Sequence, residues 1–127
     1  MTRFLLIFVG GGTGSLMRYV VAGWAQRLSN STFPVGTLAV NLVGCALIGF
    51  LTPILTGPVL IREEYRLAVL VGLLGGFTTF STYGWETVCL ADDRQFWLAA
   101  ANILASNLLG LGAAWLAARL ATMIYGS

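Results

Sequence analysis

Apolar residues run along this chain in four long stretches, and most of the charged residues stand between them. The stretches cover about residues 4–25, 33–56, 67–90 and 96–118. Arg3, Arg27, the cluster Arg62, Glu63, Glu64 and Arg66, then Asp92-Asp93-Arg94, and finally Arg119 punctuate them. Each stretch is close to the ~20 residues that an α-helix needs to cross the hydrocarbon core of a bilayer. Breakers fall in the connectors: Ser29-Asn30-Ser31 and Pro34 ahead of the second stretch, Gly57-Pro58 after it. Trp24, Trp97 and Tyr125 stand near the predicted ends, where amphipathic rings favour the membrane interface. The pattern predicts a single domain over residues 1–127, an all-α integral membrane protein with four transmembrane helices.

The third stretch departs from simple apolar character. Within it lies Gly75-Gly76-Phe77-Thr78-Thr79-Phe80-Ser81-Thr82-Tyr83-Gly84. Adjacent glycines, a run of hydroxyls and aromatic rings make a poor lipid-facing helix. Backbone that leaves the helix at membrane depth must find partners in protein, water or an ion. The expectation is a third helix broken near its middle, lining a polar path or an ion site.

Composition removes several function classes. Hydrophobic residues make up 57% and charged residues 9%, against about 25% charged in a soluble domain, so a water-soluble fold is excluded. The net charge of +2 and the scattered arginines give no nucleic-acid surface. All seven basic residues are arginine and there is no histidine, so a histidine metal site or base is excluded. Cys45 and Cys89 lack CxxC spacing and read as small apolar residues. The first stretch lacks a small-residue cleavage site and reads as a retained helix, not a signal peptide.

Orientation is weakly encoded. With four spans, Arg3, Arg62, Arg66 and Arg119 share one side, while Arg27 and Arg94 share the other with Arg18 in reach. Arginines near span ends set topology, and counts this even permit insertion both ways up. Two copies in an antiparallel dimer would then supply the inverted repeats that larger transporters carry in one chain. The alternative is a single orientation set by the second loop. Gly10 and Gly14, Gly72 and Gly76, and Gly110 with Gly112 are small residues suited to close helix contact, within one subunit or between two.

Polar groups inside the bilayer are costly and each needs an account. Thr37 and Asn41 are four apart and share a helical face, as do Thr82 and Glu86. Asn102 and Ser106 share another face in the fourth stretch, with Asn107 beside it. These side chains serve either as hydrogen bonds between helices or as the lining of a water-filled path. Glu86 suits a proton carrier, a cation ligand or an interfacial acid. Arg18 suits snorkelling to the interface or attraction of an anion to a pore mouth. Hydroxyl and amide N–H groups can replace the hydration of a small anion, and the positive edges of Phe80 and Tyr83 can add to them. Carbonyls freed by a helix break favour a cation instead, and breaks from two antiparallel copies meeting on their axis would make one buried cation site.

Three motifs in register carry a family resemblance. Gly10-Gly11-Gly12-Thr13-Gly14 with Arg18-Tyr19, then Gly36-Thr37-Leu38-Ala39-Val40-Asn41-Leu42-Val43-Gly44, then Gly75-Gly76-Phe77-Thr78-Thr79-Phe80-Ser81-Thr82 resemble the Fluc (CrcB) fluoride channels over essentially the whole chain. The resemblance implies a passive, fluoride-selective channel that exports fluoride through the bacterial plasma membrane and so lowers its toxicity. It implies an antiparallel, dual-topology homodimer with two pores. It further implies a structural sodium ion at the dimer centre, held by backbone carbonyls that the motif places at Gly75 and Thr78. The family's two pore phenylalanines map to Phe80 and Tyr83, its pore asparagine to Asn41, and its hydroxyl lining to Thr37, Ser81 and Thr82. Glu86 matches the family's acid in the same helix and Arg18 its arginine at the vestibule; Asn102, Ser106 and Asn107 match the fourth-helix lining less closely. Tyr83 departs from the usual phenylalanine and adds a hydroxyl that needs a partner.

Two rivals remain at this level. A small dual-topology proton-coupled antiporter of the multidrug-resistance type depends on a carboxylate in its first helix. The first stretch here has none, and Glu86 in the third is the only candidate. A non-conducting membrane assembly subunit would use its polar residues only to join helices. An intramembrane enzyme needs a nucleophile with a base, or metal ligands, and the sequence supplies neither set.

Overall fold

A computed structural model describes residues 1–57 and 61–126. Among these residues the fold is helical throughout, with no strand. Helix α1 spans Thr2–Ser29 and ends on Asn30, whose left-handed backbone (φ 45°) closes the last turn. Asparagine tolerates that conformation better than most residues. Helix α2 spans Val35–Thr56, entered from Pro34 and followed by Gly57. Pro58, the other half of the expected Gly57-Pro58 breaker, lies outside the described residues.

The third membrane-length segment is composite. Helix α3 (Glu63–Leu67) passes into a π-helical stretch, Ala68–Leu73, and then into the short helix α4, Leu74–Phe77. Thr78 (φ −94°, ψ 159°) and Thr79 (φ −152°, ψ 112°) are extended, and helix α5 then runs over Phe80–Asp92. A turn with Arg94 at φ 60° leads into helix α6, Phe96–Leu104. A second π-helical stretch, Ala105–Leu109, joins it to helix α7, Gly110–Tyr125.

Four segments are long and apolar enough to cross a membrane: Thr2–Ser29, Val35–Thr56, Glu63–Asp92 and Phe96–Tyr125. Three of them overrun the apolar stretches seen in the sequence, the first to Ser29 and the last to Tyr125. The reason is that charges mark where hydrocarbon ends, whereas i→i+4 backbone bonding continues through polar residues into the interface. Large apolar side chains such as Phe4, Phe8, Tyr19, Trp24, Trp97 and Trp115 remain exposed on the subunit, as a lipid-facing surface requires.

Packing positions the third segment between α1 and α2. Helix α1 lies along Ala68–Leu73 and α4, α2 lies along α7, and α5 lies along α6. The α1 contact is made by glycines. A Cβ on Gly14 would strike the Leu73 carbonyl oxygen, and one on Gly76 would strike that of Gly11. The small residues of the first and third stretches therefore pack within one subunit. Val40, Leu74 and Phe77 are among the buried core residues.

Candidate functional site

The site is organised by the two extended residues. The Thr78 N–H still donates to the Leu74 carbonyl at 3.1 Å, but the peptide groups of Thr79 lack helical pairing and require other partners at membrane depth. Asn41 supplies them from α2: its Oδ1 accepts from the Thr79 N–H at 2.7 Å, and its Nδ2 donates to the Thr79 carbonyl at 2.9 Å. Thr78 turns back on its own helix, donating from its hydroxyl to the Leu74 carbonyl at 3.0 Å. Thr79 caps α5: its Oγ1 accepts from the Thr82 N–H at 3.2 Å and donates to Thr82 Oγ1 at 2.9 Å. This is the threonine N-cap that satisfies a free helix-terminal donor.

One turn from Asn41 on the same helix, Thr37 donates to Glu86 Oε1 at 2.8 Å. The other carboxylate oxygen, Oε2, is buried with no hydrogen-bond partner among the described residues. Thr37, Thr79, Thr82 and Glu86 line a cleft of about 700 Å³ that Arg18 also borders, together with Trp85 and Cys89. The sequence left Arg18 between snorkelling and a pore mouth, and the structure puts it at this cleft. Cys45 and Cys89 are free thiols, each only half-buried.

A second polar group lies between α5 and the fourth segment. Asn102, 1% exposed, donates to Thr87 Oγ1 at 2.9 Å, and Thr87 donates onward to the Tyr83 carbonyl at 2.8 Å. Ser106 reaches Asn102 Oδ1 at 3.4 Å. Asn107 donates to the Ile103 carbonyl at 2.8 Å and lies 3.4 Å from the Tyr83 hydroxyl. The phenol that the sequence left in need of a partner thus has one, at the long end of the range. Phe80 and Tyr83 meet at a tilt, with ring centroids 5.4 Å apart and an interplanar angle of 49°.

The structure therefore divides the sequence-selected residues. Thr37, Thr82, Glu86 and Arg18 share the cleft, and Asn41 stands beside it with its amide against the Thr79 backbone. Tyr83, Asn102, Ser106 and Asn107 form the group between α5 and the fourth segment. Phe80 and Ser81 point outward, Phe80 being 82% exposed. Gly75 is exposed as well, and a Cβ there would meet nothing within 4 Å.

Three residues escaped the sequence reading. Thr79 is both cap and clamp point, and its position as the last residue before a helix start was the available signal. Thr87 relays between Tyr83 and Asn102. Gln26 staples the first connector, donating to the Ser31 and Phe33 carbonyls at 2.7 and 3.0 Å while accepting from the Gly36 N–H at 3.0 Å. Nothing in the local sequence marks either of those roles.

Comparison with known proteins adds an independent line. A family model described as CrcB-like protein, Camphor Resistance (CrcB), matches residues 5–118. The fluoride-specific ion channel FluC of Solibacter usitatus is 44% identical over 119 residues, covering 94% of this chain and 98% of that protein. The FluC of Geobacter sulfurreducens is 44% identical over 115 residues, 91% and 93% of the two chains. That of Nitratidesulfovibrio vulgaris is 40% identical over 124 residues, 98% and 100% of the two chains.

Proposed function

The chain belongs to the CrcB family, and on that premise we propose that it is a fluoride-selective channel rather than an enzyme, passively exporting fluoride across the bacterial plasma membrane. The observation that carries this reading is the gathering of uncharged polar side chains, Thr37, Asn41 and Thr82, around the Thr79 peptide, in a chain 44% identical to proteins named fluoride-specific ion channels. Thr82, whose Oγ1 accepts from the Thr79 hydroxyl, keeps its own proton for the cleft, and the Asn41 amide has a second N–H beyond the one given to Thr79. Such groups can replace an anion's water without fixing it by full charge. Arg18 at the cleft draws anions toward it. Phe80, Ser81 and Tyr83 extend the path along α5, and Asn102, Ser106 and Asn107 border it from the fourth segment.

The channel is an antiparallel homodimer in this reading. Ser81 and Asn107 are exposed on one subunit although they lie within membrane-length segments. Polar groups facing lipid are unfavourable, so a second copy covering them is the favoured arrangement. The near-balance of arginines supports dual topology. The third helix acts as a broken helix whose interruption lies at the meeting of the two copies. Gly75 and Thr78 offer backbone carbonyls there to a structural sodium ion. The donor set suits a hard cation that prefers oxygen ligands, and the uncrowded surface at Gly75 leaves its backbone approachable.

The test is efflux from proteoliposomes holding the purified protein, with fluoride and chloride followed by ion-selective electrodes. Rapid fluoride release with chloride retained is the expected result. Folded, dimeric protein that releases neither ion would reject the channel, and a proton-coupled antiporter built on Glu86 or a non-conducting assembly subunit would take its place.

A further inference from the structure

The interruption of the third helix is held by two side chains. In a continuous helix the Thr79 N–H would donate to the Gly75 carbonyl, and the Thr82 N–H to the Thr78 carbonyl. Both donors are drawn elsewhere: the Thr79 N–H to Asn41 Oδ1 at 2.7 Å and the Thr82 N–H to Thr79 Oγ1 at 3.2 Å. The Asn41 amide can take only one orientation here, because its oxygen faces an N–H and its nitrogen faces a carbonyl. Thr78 does not redirect either bond, since its amide and its hydroxyl both donate to the Leu74 carbonyl, at 3.1 and 3.0 Å. The two carbonyls that lose their helical donors to these side chains are those of Gly75 and Thr78.

We propose that Asn41 and Thr79 are positioning residues for a cation: by taking two amide protons, they free the Gly75 and Thr78 carbonyls to face it. This rests on the sodium reading above. Thr79 is buried within the subunit and acts through the backbone. Asn41 acts in the same way from α2, so the helix that borders the anion cleft also sets the cation's ligands. Outer partners of this kind commonly change metal affinity by about 10–100-fold when removed.

The test measures melting temperature of the purified protein against sodium concentration, with N-methylglucamine holding the ionic strength constant. Wild type, Asn41→Leu, Thr79→Val and Thr79→Ser are compared. Sodium should stabilise wild type, and the Leu and Val variants should need about 10–100-fold more sodium for half the effect. Thr79→Ser keeps the oxygen and should follow wild type. High sodium should return the Leu and Val variants toward the wild-type melting temperature, which a damaged fold would not do. If Asn41→Leu fails to assemble, Thr79→Val decides the matter. A sodium midpoint unchanged in Thr79→Val, or a loss of folded protein that no sodium restores, overturns the positioning role while the sodium reading stands. A wild type indifferent to sodium overturns both.

Discussion

The third segment is approached closely from two sides, and the two contacts are made of different materials. Against α1 the backbones touch through glycine: Gly14 lies on Leu73, and Gly76 lies on Gly11. Against α2 the contact is polar, with Asn41 gripping the Thr79 peptide and Thr37 donating to Glu86. Apolar burial gives little preference for helix over lipid, so membrane helices join by close packing or by hydrogen bonds. Here one segment uses each on a different face. The glycine contact offers nothing polar to a solute and can only hold. The α2 contact holds the chain and also brings Thr37, Thr79, Thr82 and Glu86 to the cleft, whose other wall is the stretch of α1 beyond the glycine contact, Arg18 included.

The largest expected effect comes from breaking the glycine contact. Gly76→Val places a branched side chain against the Gly11 backbone, which cannot retreat without moving α1. It should remove folded protein from a size-exclusion profile. Gly12→Ala, whose Cβ meets nothing within 4 Å, should stay within about 0.5 kcal/mol of wild type. Equal behaviour of the two would dissolve the distinction between the faces.

Asn41→Asp comes next and strikes the polar face. The carboxylate can still accept from the Thr79 N–H, but it loses the donor to the Thr79 carbonyl and adds a negative charge beside the proposed anion path. Fluoride efflux from proteoliposomes should fall by at least about a hundredfold, since like charges this close oppose each other by several kcal/mol even with substantial screening. Efflux at the wild-type rate, from an assembled variant, would take Asn41 out of the path and leave it a purely structural clamp.

Phe80→Ile tests the ring that points outward. If its edge meets the ion, efflux should drop by about tenfold, in line with the upper range for aromatic contacts. A rate unaffected by isoleucine would assign Phe80 to the lipid or dimer surface. Tyr83→Phe is the mildest change. It removes a hydroxyl whose contact to Asn107 is 3.4 Å long, and efflux should shift by only about twofold. A much larger loss would show that the phenol itself meets the ion.

Much of the fold could be read from the sequence because membrane segments are written in composition. Four apolar stretches separated by charge predict four crossings, and hydrocarbon permits little besides helices there. The candidate residues Thr37, Asn41, Thr82 and Glu86 were equally visible, because any polar group at that depth calls for an explanation. Their partners were not visible. Spacing places Thr37 and Asn41 on one face of α2, but it does not say that one meets a carboxylate 49 positions away and the other a peptide 38 positions away.

Sequence alone determined where the helices cross, which residues are polar at depth, and that Gly75 to Gly84 is unlike the rest of its stretch. Each of these depends on side-chain chemistry against lipid and is local. Only the tertiary structure decided that the glycines of α1 serve the third segment, that Thr79 is the buried residue around which Asn41 and Thr82 turn, and that Arg18 reaches the cleft. Those outcomes depend on which backbones approach one another, and a hydrogen bond between distant positions exists only once packing has brought donor and acceptor together.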